Sequence, residues 1–78
     1  MPTEHPRALF ISFDGLLEPL GQSQILPYLK GLSARGAAIT VLSFEKPADW
    51  RSRRMQALEG ELAERGMRWV ALRYRAQP

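Results

Sequence analysis

The sequence predicts a small α/β domain in which three parallel strands alternate with two helices, in the order β-α-β-α-β. Short runs of apolar and β-branched residues, typical of buried strands, begin near residues 7, 38 and 67. Between them lie two longer segments whose apolar residues recur at the spacing of one helix face. A glycine follows each of these segments, at the position where helices commonly end. This pattern predicts right-handed crossovers and strand order 3-2-1, which is one half of a Rossmann-like parallel sheet.

The first strand is the run "RALFISF", residues 7–13, and we expect it to be buried on both faces. The helix that follows spans about residues 21–35. Its apolar face is formed by Ile25, Tyr28, Leu29 and Leu32. Pro27 fits only in the first turn of a regular helix, so the helix either begins near Gln24 or begins earlier and is kinked. Both alternatives leave the backbone amides of residues 21–23 free of helix hydrogen bonds.

The second strand is predicted at "AITVLSF", residues 38–44, because β-branched residues dominate it. Asp49 stands where an N-cap is expected, and the second helix follows it over residues 50–65. Its buried stripe contains Met55, Leu58 and Leu62. The run "MRWVALRY", residues 67–74, is the third strand, and its mixed alternation predicts partial exposure.

Length and composition narrow the class of protein. With 78 residues, of which 45% are hydrophobic and 24% charged, the chain suits one small globular domain. We divide it into a flexible leader, residues 1–6, and a partial Rossmann-like domain, residues 7–78. Because it has no cysteine, no signal peptide and no apolar stretch long enough for a membrane span, we expect a cytoplasmic protein.

The positive charge lies in the second half of the chain. Residues 48–78 contain seven arginines and four acidic residues, which accounts for the whole net charge of +3. The cluster "WRSRR" (Trp50, Arg51, Arg53 and Arg54) places cations early in a helix, where they oppose the helix dipole. It could contact anionic lipid as a peripheral patch on the inner face of the cytoplasmic membrane, or it could be an ordinary solvated face. We expect no nucleic-acid partner and, with one histidine and no cysteine, no metal site.

The loop after the first strand, residues 14–22, is the candidate binding site. In open α/β sheets, ligands bind beyond the carboxyl ends of the strands, at the point where the strand order reverses. Free backbone amides at a helix start attract anions, and Gly21, Gln22 and Ser23 would supply them. The alternative is a plain turn, in which glycine only permits the geometry and Ser23 or Gln24 caps the helix.

Asp14 ends the first strand, where its carboxylate could bind a hydroxyl group or act as a base, or could only close an Asp-Gly turn through an Asx hydrogen bond. The glycine spacing excludes two common phosphate motifs. Gly15 and Gly21 do not match the dinucleotide fingerprint, and Gly21 is not followed by the Lys and Ser or Thr of a P-loop. No Ser-His-Asp or Cys-His arrangement can be built, so we expect no catalytic residue within this chain alone.

The stretch "SFDGLLEPLGQSQILPYLKGLSARG", followed by "ITVLSFEKP" and "GMRWVALRY", resembles the start of bacterial family 4 glycosyltransferases, retaining enzymes with the GT-B fold. The likeness extends from Arg7 to Tyr74. It implies the acceptor-side, N-terminal domain of an enzyme that transfers a sugar from a nucleotide-sugar to a glycan or lipid-linked acceptor in surface polysaccharide synthesis. It also implies that the missing partner is a C-terminal donor-binding domain, and that no cofactor is needed besides the donor substrate.

The resemblance further implies that Gly21 and Gln22 face the cleft near the donor diphosphate, with Asp14 and Gln24 close by. Many family members have a Gly-Gly pair where this chain has Leu20 and Gly21. The sequence lacks the donor-binding domain, so we expect a truncated GT-B N-terminal domain that is inactive alone. The alternative is a small stand-alone α/β binding or protein-interaction module without catalysis.

Overall fold

The computed structural model of the protein describes residues 6–74. The elements follow the predicted order: β1 (Arg7–Ser12), a π-helical turn (Gly21–Ile25), α1 (Leu26–Ala34), β2 (Ala38–Glu45), α2 (Arg53–Glu64) and β3 (Arg68–Arg73). Of the predicted leader, residues 1–5 lie outside the described residues.

The three strands form one parallel sheet in the spatial order β1-β2-β3. β1 pairs with β2 from Arg7 opposite Ala38 to Ser12 opposite Ser43. β2 in turn pairs with β3, ending at Glu45 opposite Arg73. The predicted α/β fold and the strand order 3-2-1 are therefore confirmed.

Both helices cover the same face of the sheet, because two right-handed crossovers in the same direction place them there. The burial of β2 alternates accordingly: Ile39, Val41, Ser43 and Glu45 are buried, while the residues between them are less so. The core beneath the helices consists of buried apolar side chains from both helices, from β2, from the loop after β1 and from the turn before β3: Leu16, Leu17, Leu26, Leu29, Ile39, Val41, Met55, Leu58, Leu62 and Met67.

The opposite side of the sheet, which we call the open face, has no helix over it within residues 6–74. Its apolar side chains come from all three strands: Leu9, Ile11, Leu42, Phe44, Val70 and Leu72. The expectation that β1 is buried on both faces is wrong, because Leu9 is 63% exposed and Ile11 54% exposed. β1 is an edge strand, and the open face leaves its outward-pointing side chains in solvent.

Pro27 determines how the first helix begins. It lies in the first turn of α1, as predicted, and helical structure extends upstream of it to Pro19. Since Pro27 has no N–H and crowds the carbonyl four residues before it, the preceding turn widens to a π-helical pattern, in which the Leu26 amide donates to the Gly21 carbonyl. Neither Ser23 nor Gln24 caps this helix, because Leu20 and Ile25 occupy the N-cap positions of the π-helical turn and α1.

The second helix begins later than the sequence predicts. Its N-cap is Ser52, whose hydroxyl accepts a hydrogen bond from the Met55 amide at 3.1 Å, and not Asp49. Asp49 instead belongs to the turn after β2. Trp50 and Arg51 also precede the helix, so only two of the clustered arginines, Arg53 and Arg54, lie in its first turn.

Candidate functional site at the carboxyl edge of the sheet

The loop after β1 is held from beneath by Glu45, the last residue of β2. Its side chain is fully buried. One carboxyl oxygen accepts a hydrogen bond from the Leu16 amide at 2.9 Å, and the other accepts one from the Leu17 amide at 3.4 Å. No cationic side chain among residues 6–74 pairs with Glu45, so backbone amides satisfy this buried acid.

The Glu45 carboxyl group belongs to a longer buried chain of hydrogen bonds. The Trp69 indole donates to the Ser43 hydroxyl at 2.8 Å, and that hydroxyl donates to Glu45. Ser43 is also fully buried, so β3, β2 and the loop after β1 share one polar network inside the core. The sequence analysis missed this network. Its signal was an acid two residues after a serine, on the inward side of a buried strand.

Gly21 is buried, and its role in the structure is close packing. A Cβ atom there would lie 2.4 Å from the Gly15 carbonyl oxygen and 2.7 Å from the Leu16 Cα. The helical segment therefore touches the backbone of the loop after β1 directly. A larger residue at this position would disturb the core. Gly21 is therefore needed for packing, and it is not only a place where an anion could approach the backbone.

Gln22 also supports this loop. Its backbone amide donates to the Glu18 carbonyl at 2.9 Å, so the expectation of free amides over residues 21–23 is wrong at this position. Its side-chain amide donates to the Leu16 carbonyl at 2.9 Å. The side chain lines a groove against α2, and Gln22, Ser23 and Gln24 are all exposed on the π-helical turn. Whether any of these residues binds a phosphate stays a prediction.

Asp14 lies in a different place, a shallow pocket of about 290 Å³ at the carboxyl ends of the strands. The pocket is lined by Phe13, Asp14, Gly15, Glu18, Phe44, Lys46 and Tyr74. The rings of Phe13 and Phe44 stack with their centroids 5.8 Å apart and their planes 7° apart. The structure therefore separates Asp14 from the Gln22 groove and places it in a pocket lined partly by aromatic residues, which the sequence analysis did not predict.

An ion pair between Lys46 and Glu18 lies at this pocket. Lys46 Nζ lies 2.6 Å from a carboxylate oxygen of Glu18, and this hydrogen bond raises the pKa of the lysine above its ordinary value of 10.5. Asp14 is exposed, and its carboxylate makes no hydrogen bond within residues 6–74, so the expected Asx turn is not formed there. Instead the Ser12 hydroxyl donates to the Asp14 carbonyl at 2.8 Å. The pocket thus offers a free carboxylate, an ion pair and flat apolar rings.

The predicted basic patch is only partly free. Arg54 donates to the Leu17 carbonyl at 2.9 Å and lies 3.9 Å from Asp49, so it joins α2 to the loop after β1. Trp50 packs against the core. Arg51 and Arg53 are exposed, and Arg51 has a φ of 61°, a left-handed conformation that is uncommon for a residue with a side chain.

Over residues 6–74, no three side chains of the metal-binding types lie close enough together to hold an ion. In the same part of the chain, no helix combines the length and the apolar character that crossing a bilayer requires. A scan against protein-family models finds no match, and neither a curated protein nor a solved structure is significantly similar to this chain.

Proposed function

We propose that this chain is the acceptor-side part of a GT-B glycosyltransferase, which transfers a sugar from a nucleotide-sugar to a glycan or lipid-linked acceptor. The proposal rests on the resemblance that extends from Arg7 to Tyr74 and on the half Rossmann-like sheet. In this proposal the pocket at the carboxyl edge of the sheet receives the acceptor. The donor is held by a C-terminal domain, and the chain by itself has no catalytic residue.

The observation that carries the proposal is the combination of flat rings and a free carboxylate in the Asp14 pocket. The stacked pair of Phe13 and Phe44, together with Tyr74, offers apolar faces against which the C–H face of a sugar ring can pack. Asp14 is an acceptor for sugar hydroxyls, and the Lys46–Glu18 pair supplies a donor and a further acceptor. This chemistry suits a neutral polyhydroxy ligand better than a free phosphate.

Arg51 and Arg53 would bring the enzyme to anionic lipid on the inner face of the cytoplasmic membrane. Both side chains are exposed, whereas Arg54 is committed to the loop after β1. The resemblance implies that Gly21 and Gln22 lie near the donor diphosphate. In this proposal the outward surface of the π-helical turn, where Ser23 and Gln24 are exposed, would contact the diphosphate.

The test measures binding of acceptor oligosaccharides to the 78-residue chain. Changes in the backbone amide chemical shifts, recorded by nuclear magnetic resonance, report the binding. Neutral oligosaccharides should shift the amides of Phe13, Asp14 and Lys46. Asp14→Asn should weaken this binding by about tenfold, because a charged acceptor of hydroxyl hydrogen bonds is lost. Glu64→Gln is the matched control, since Glu64 is exposed at the end of α2 and lies outside the pocket, and it should bind as the parent does.

Transfer is assayed separately, by incubating the chain with nucleotide-sugars and lipid acceptors. We expect no turnover, because the groups that stabilise the leaving diphosphate would lie in the donor domain. Turnover that grows with the concentration of the chain would contradict the proposal that the donor domain supplies the catalytic groups. The acceptor pocket would be contradicted if oligosaccharides caused no amide shifts, or if Asp14→Asn left those shifts unchanged.

The second candidate is a stand-alone α/β interaction module, which the uncovered apolar open face favours. The gene separates the two candidates. A reading frame that continues past codon 78 into a donor-binding domain supports the transferase. A stop codon with an independently expressed 78-residue product supports the module.

A further inference from the structure

A second cleft lies between α2 and β3, and it shares no lining residue with the Asp14 pocket. Its volume is about 560 Å³. Ala63 on α2 and Ala71 on β3 have the shortest side chains of its wall, and their size keeps the space between helix and strand open. The apolar part of the wall consists of Trp50, Met55, Ala63, Met67, Trp69 and Ala71.

The two tryptophans give the cleft flat apolar surfaces. The Trp69 indole N–H donates to the buried Ser43 hydroxyl at 2.8 Å, so the polar edge of this ring is satisfied inside the core. Trp50 packs against the same core. Both tryptophans are half-buried, and such rings offer a hydrocarbon face on which an aromatic ligand can stack.

Two arginines, Arg51 and Arg68, line the cleft with exposed side chains. Within residues 6–74, neither guanidinium group forms an ion pair. Of the described residues that line the cleft, Glu59 is the only acidic one, so two cations stand against one anion. A guanidinium group is planar and matches a carboxylate or a phosphate with two parallel hydrogen bonds.

The backbone at Arg51 gives independent evidence for a role of this residue. Its φ of 61° is a left-handed conformation, which costs free energy in a residue that has a Cβ atom. The Arg51 amide donates to Met55 Sδ at 3.4 Å, and the Gln56 side chain donates to the Arg51 carbonyl at 3.3 Å, so the turn holds this conformation in place. Glycine would adopt it at little cost, and strain of this kind is concentrated at functional sites.

We propose that the cleft between α2 and β3 binds a small aromatic anion, with its ring against the two tryptophans and its carboxylate or phosphate group against Arg51 and Arg68. The missing half of a Rossmann-like sheet would be added beyond β1, which would leave β3 at the edge. The occupant is therefore a small molecule and not a further strand of the same sheet. The site does not depend on the proposed transferase function, and Arg53, which lies outside the cleft, stays free for the lipid contact.

The experiment uses the fluorescence of the chain itself, because its two tryptophans both line the cleft. The full chain is titrated with hydrocinnamate and with hydrocinnamamide, a neutral amide of the same shape. Phenyl phosphate is the second anion, and acetate is the anion without a ring. We expect at least one of the two aromatic anions to bind at least about fivefold more tightly than the amide, because hydrogen bonds to a charged group are stronger. Acetate should cause no saturable change.

Charge variants test the arginines. Arg51→Gln and Arg68→Gln should each weaken binding of the aromatic anion by about fivefold and leave binding of the amide unchanged. Arg53→Gln is the matched control, since Arg53 is also exposed but does not line the cleft, and it should bind as the parent does. Glu59→Gln should have the opposite effect and strengthen binding of the anion, because it removes a like charge.

Two further variants separate binding from folding. Arg51→Gly should raise the urea midpoint, because glycine relieves the strained backbone, and yet weaken anion binding as Arg51→Gln does. Ala63→Leu fills the cleft and should abolish binding of every aromatic probe, and the side chain is exposed, so folding is preserved. Ala34→Leu is its control, since Ala34 is exposed at the end of α1 and lies outside the cleft.

Several results would overturn the proposal. If neither aromatic anion binds more tightly than the amide, the arginines have no role, and binding that survives Ala63→Leu would place the ligand elsewhere. An effect of Arg53→Gln as large as that of Arg51→Gln would indicate a general basic surface. If no probe causes a saturable change, the site does not exist, and a response to phosphatidylglycerol vesicles alone would identify a membrane as the partner instead.

Discussion

Replacing Glu45 by alanine should destabilise the protein far more than its place at the end of a strand would suggest. The carboxyl group accepts hydrogen bonds from the Leu16 and Leu17 amides and from the Ser43 hydroxyl. All of these donors are buried residues, so no solvent replaces the lost acceptor. The variant would leave three polar groups unsatisfied in the core and would release the loop that forms the floor of the Asp14 pocket.

The size of the loss follows from those three donors. Each buried donor left without an acceptor costs about 1–3 kcal/mol, and because the donors share one acceptor group, we expect a total of about 3–5 kcal/mol and not the full sum. A domain of this length has a free energy of unfolding of about 4–12 kcal/mol, so Glu45→Ala would remove at least about a quarter of that stability and nearly all of it at the lower end. Glu45→Gln keeps the shape and one acceptor oxygen, so it should lose about 1–2 kcal/mol.

Urea unfolding followed by circular dichroism measures these free energies, and hydrogen exchange at Leu16 and Leu17 reports the loop itself. Glu64→Gln is the control, because Glu64 is exposed near the end of α2 and should change stability by less than about 0.5 kcal/mol. If Glu45→Ala unfolds within about 1 kcal/mol of the parent and its loop amides stay protected, the network does not hold the loop.

Two further predictions concern glycine packing and pH. Gly21→Ala should lower the free energy of unfolding by about 1–3 kcal/mol or more, since its methyl group would lie 2.4 Å from the Gly15 carbonyl oxygen. Gly31→Ala adds a methyl group in open space inside α1, so it should raise the free energy of unfolding by about 0.5–1 kcal/mol. Equal urea midpoints for these two variants would contradict the packing role. Hydrogen bonding to Lys30 lowers the pKa of Glu61 below its ordinary value of 4.5, so the contribution of this carboxylate to stability is present above pH 4.5 and is lost as the pH falls through the lowered pKa. Glu61→Gln should therefore be less stable than the parent near neutral pH and equal to it in strong acid, and a difference that persists in acid would refute this assignment.

The features that the sequence predicted correctly depend on local patterns. Three short apolar runs and two segments of helical period suffice for the element order, and the crossover rule then orders the strands. Gly36 and Gly66, which follow the two helices, have φ values of 98° and 73°, the left-handed conformation that ends a helix and that glycine adopts at little cost. These positions could be predicted because the required conformation is a property of the residue itself.

The features that the sequence analysis missed depend on contacts between distant residues. Glu45 comes directly after the predicted second strand, residues 38–44, and its role becomes visible only when the Leu16 amide, 29 residues away in sequence, is placed beside it. Gly21 looked like a flexible residue in a loop, yet its φ lies outside the left-handed region and its small size is what matters. A periodic pattern carries no information on which backbone segment will approach a given glycine.

Gly15 provides a last test of how the loop after β1 gets its shape. A Cβ atom at Gly15 would lie 2.9 Å from a carboxyl oxygen of Glu45, and the backbone of Gly15 is not left-handed, so contact alone opposes an alanine there. Glu45→Asp withdraws the carboxyl group by one methylene and should relieve that contact. The double variant should therefore be more stable than the sum of the single changes predicts, by about 1 kcal/mol.

The matched control for this cycle is Gly60→Ala, which adds a methyl group in open space on α2 and should show no coupling to Glu45→Asp. Urea unfolding of all the variants in the two cycles supplies the coupling energies. If the effects of Gly15→Ala and Glu45→Asp are additive, Glu45 does not set the path of the backbone at Gly15. A favourable coupling that is confined to Gly15 would instead mean that buried Glu45 determines the path of the loop that carries Asp14. The geometry of the pocket would then depend on this contact in the core and not on the turn propensity of the Asp-Gly pair.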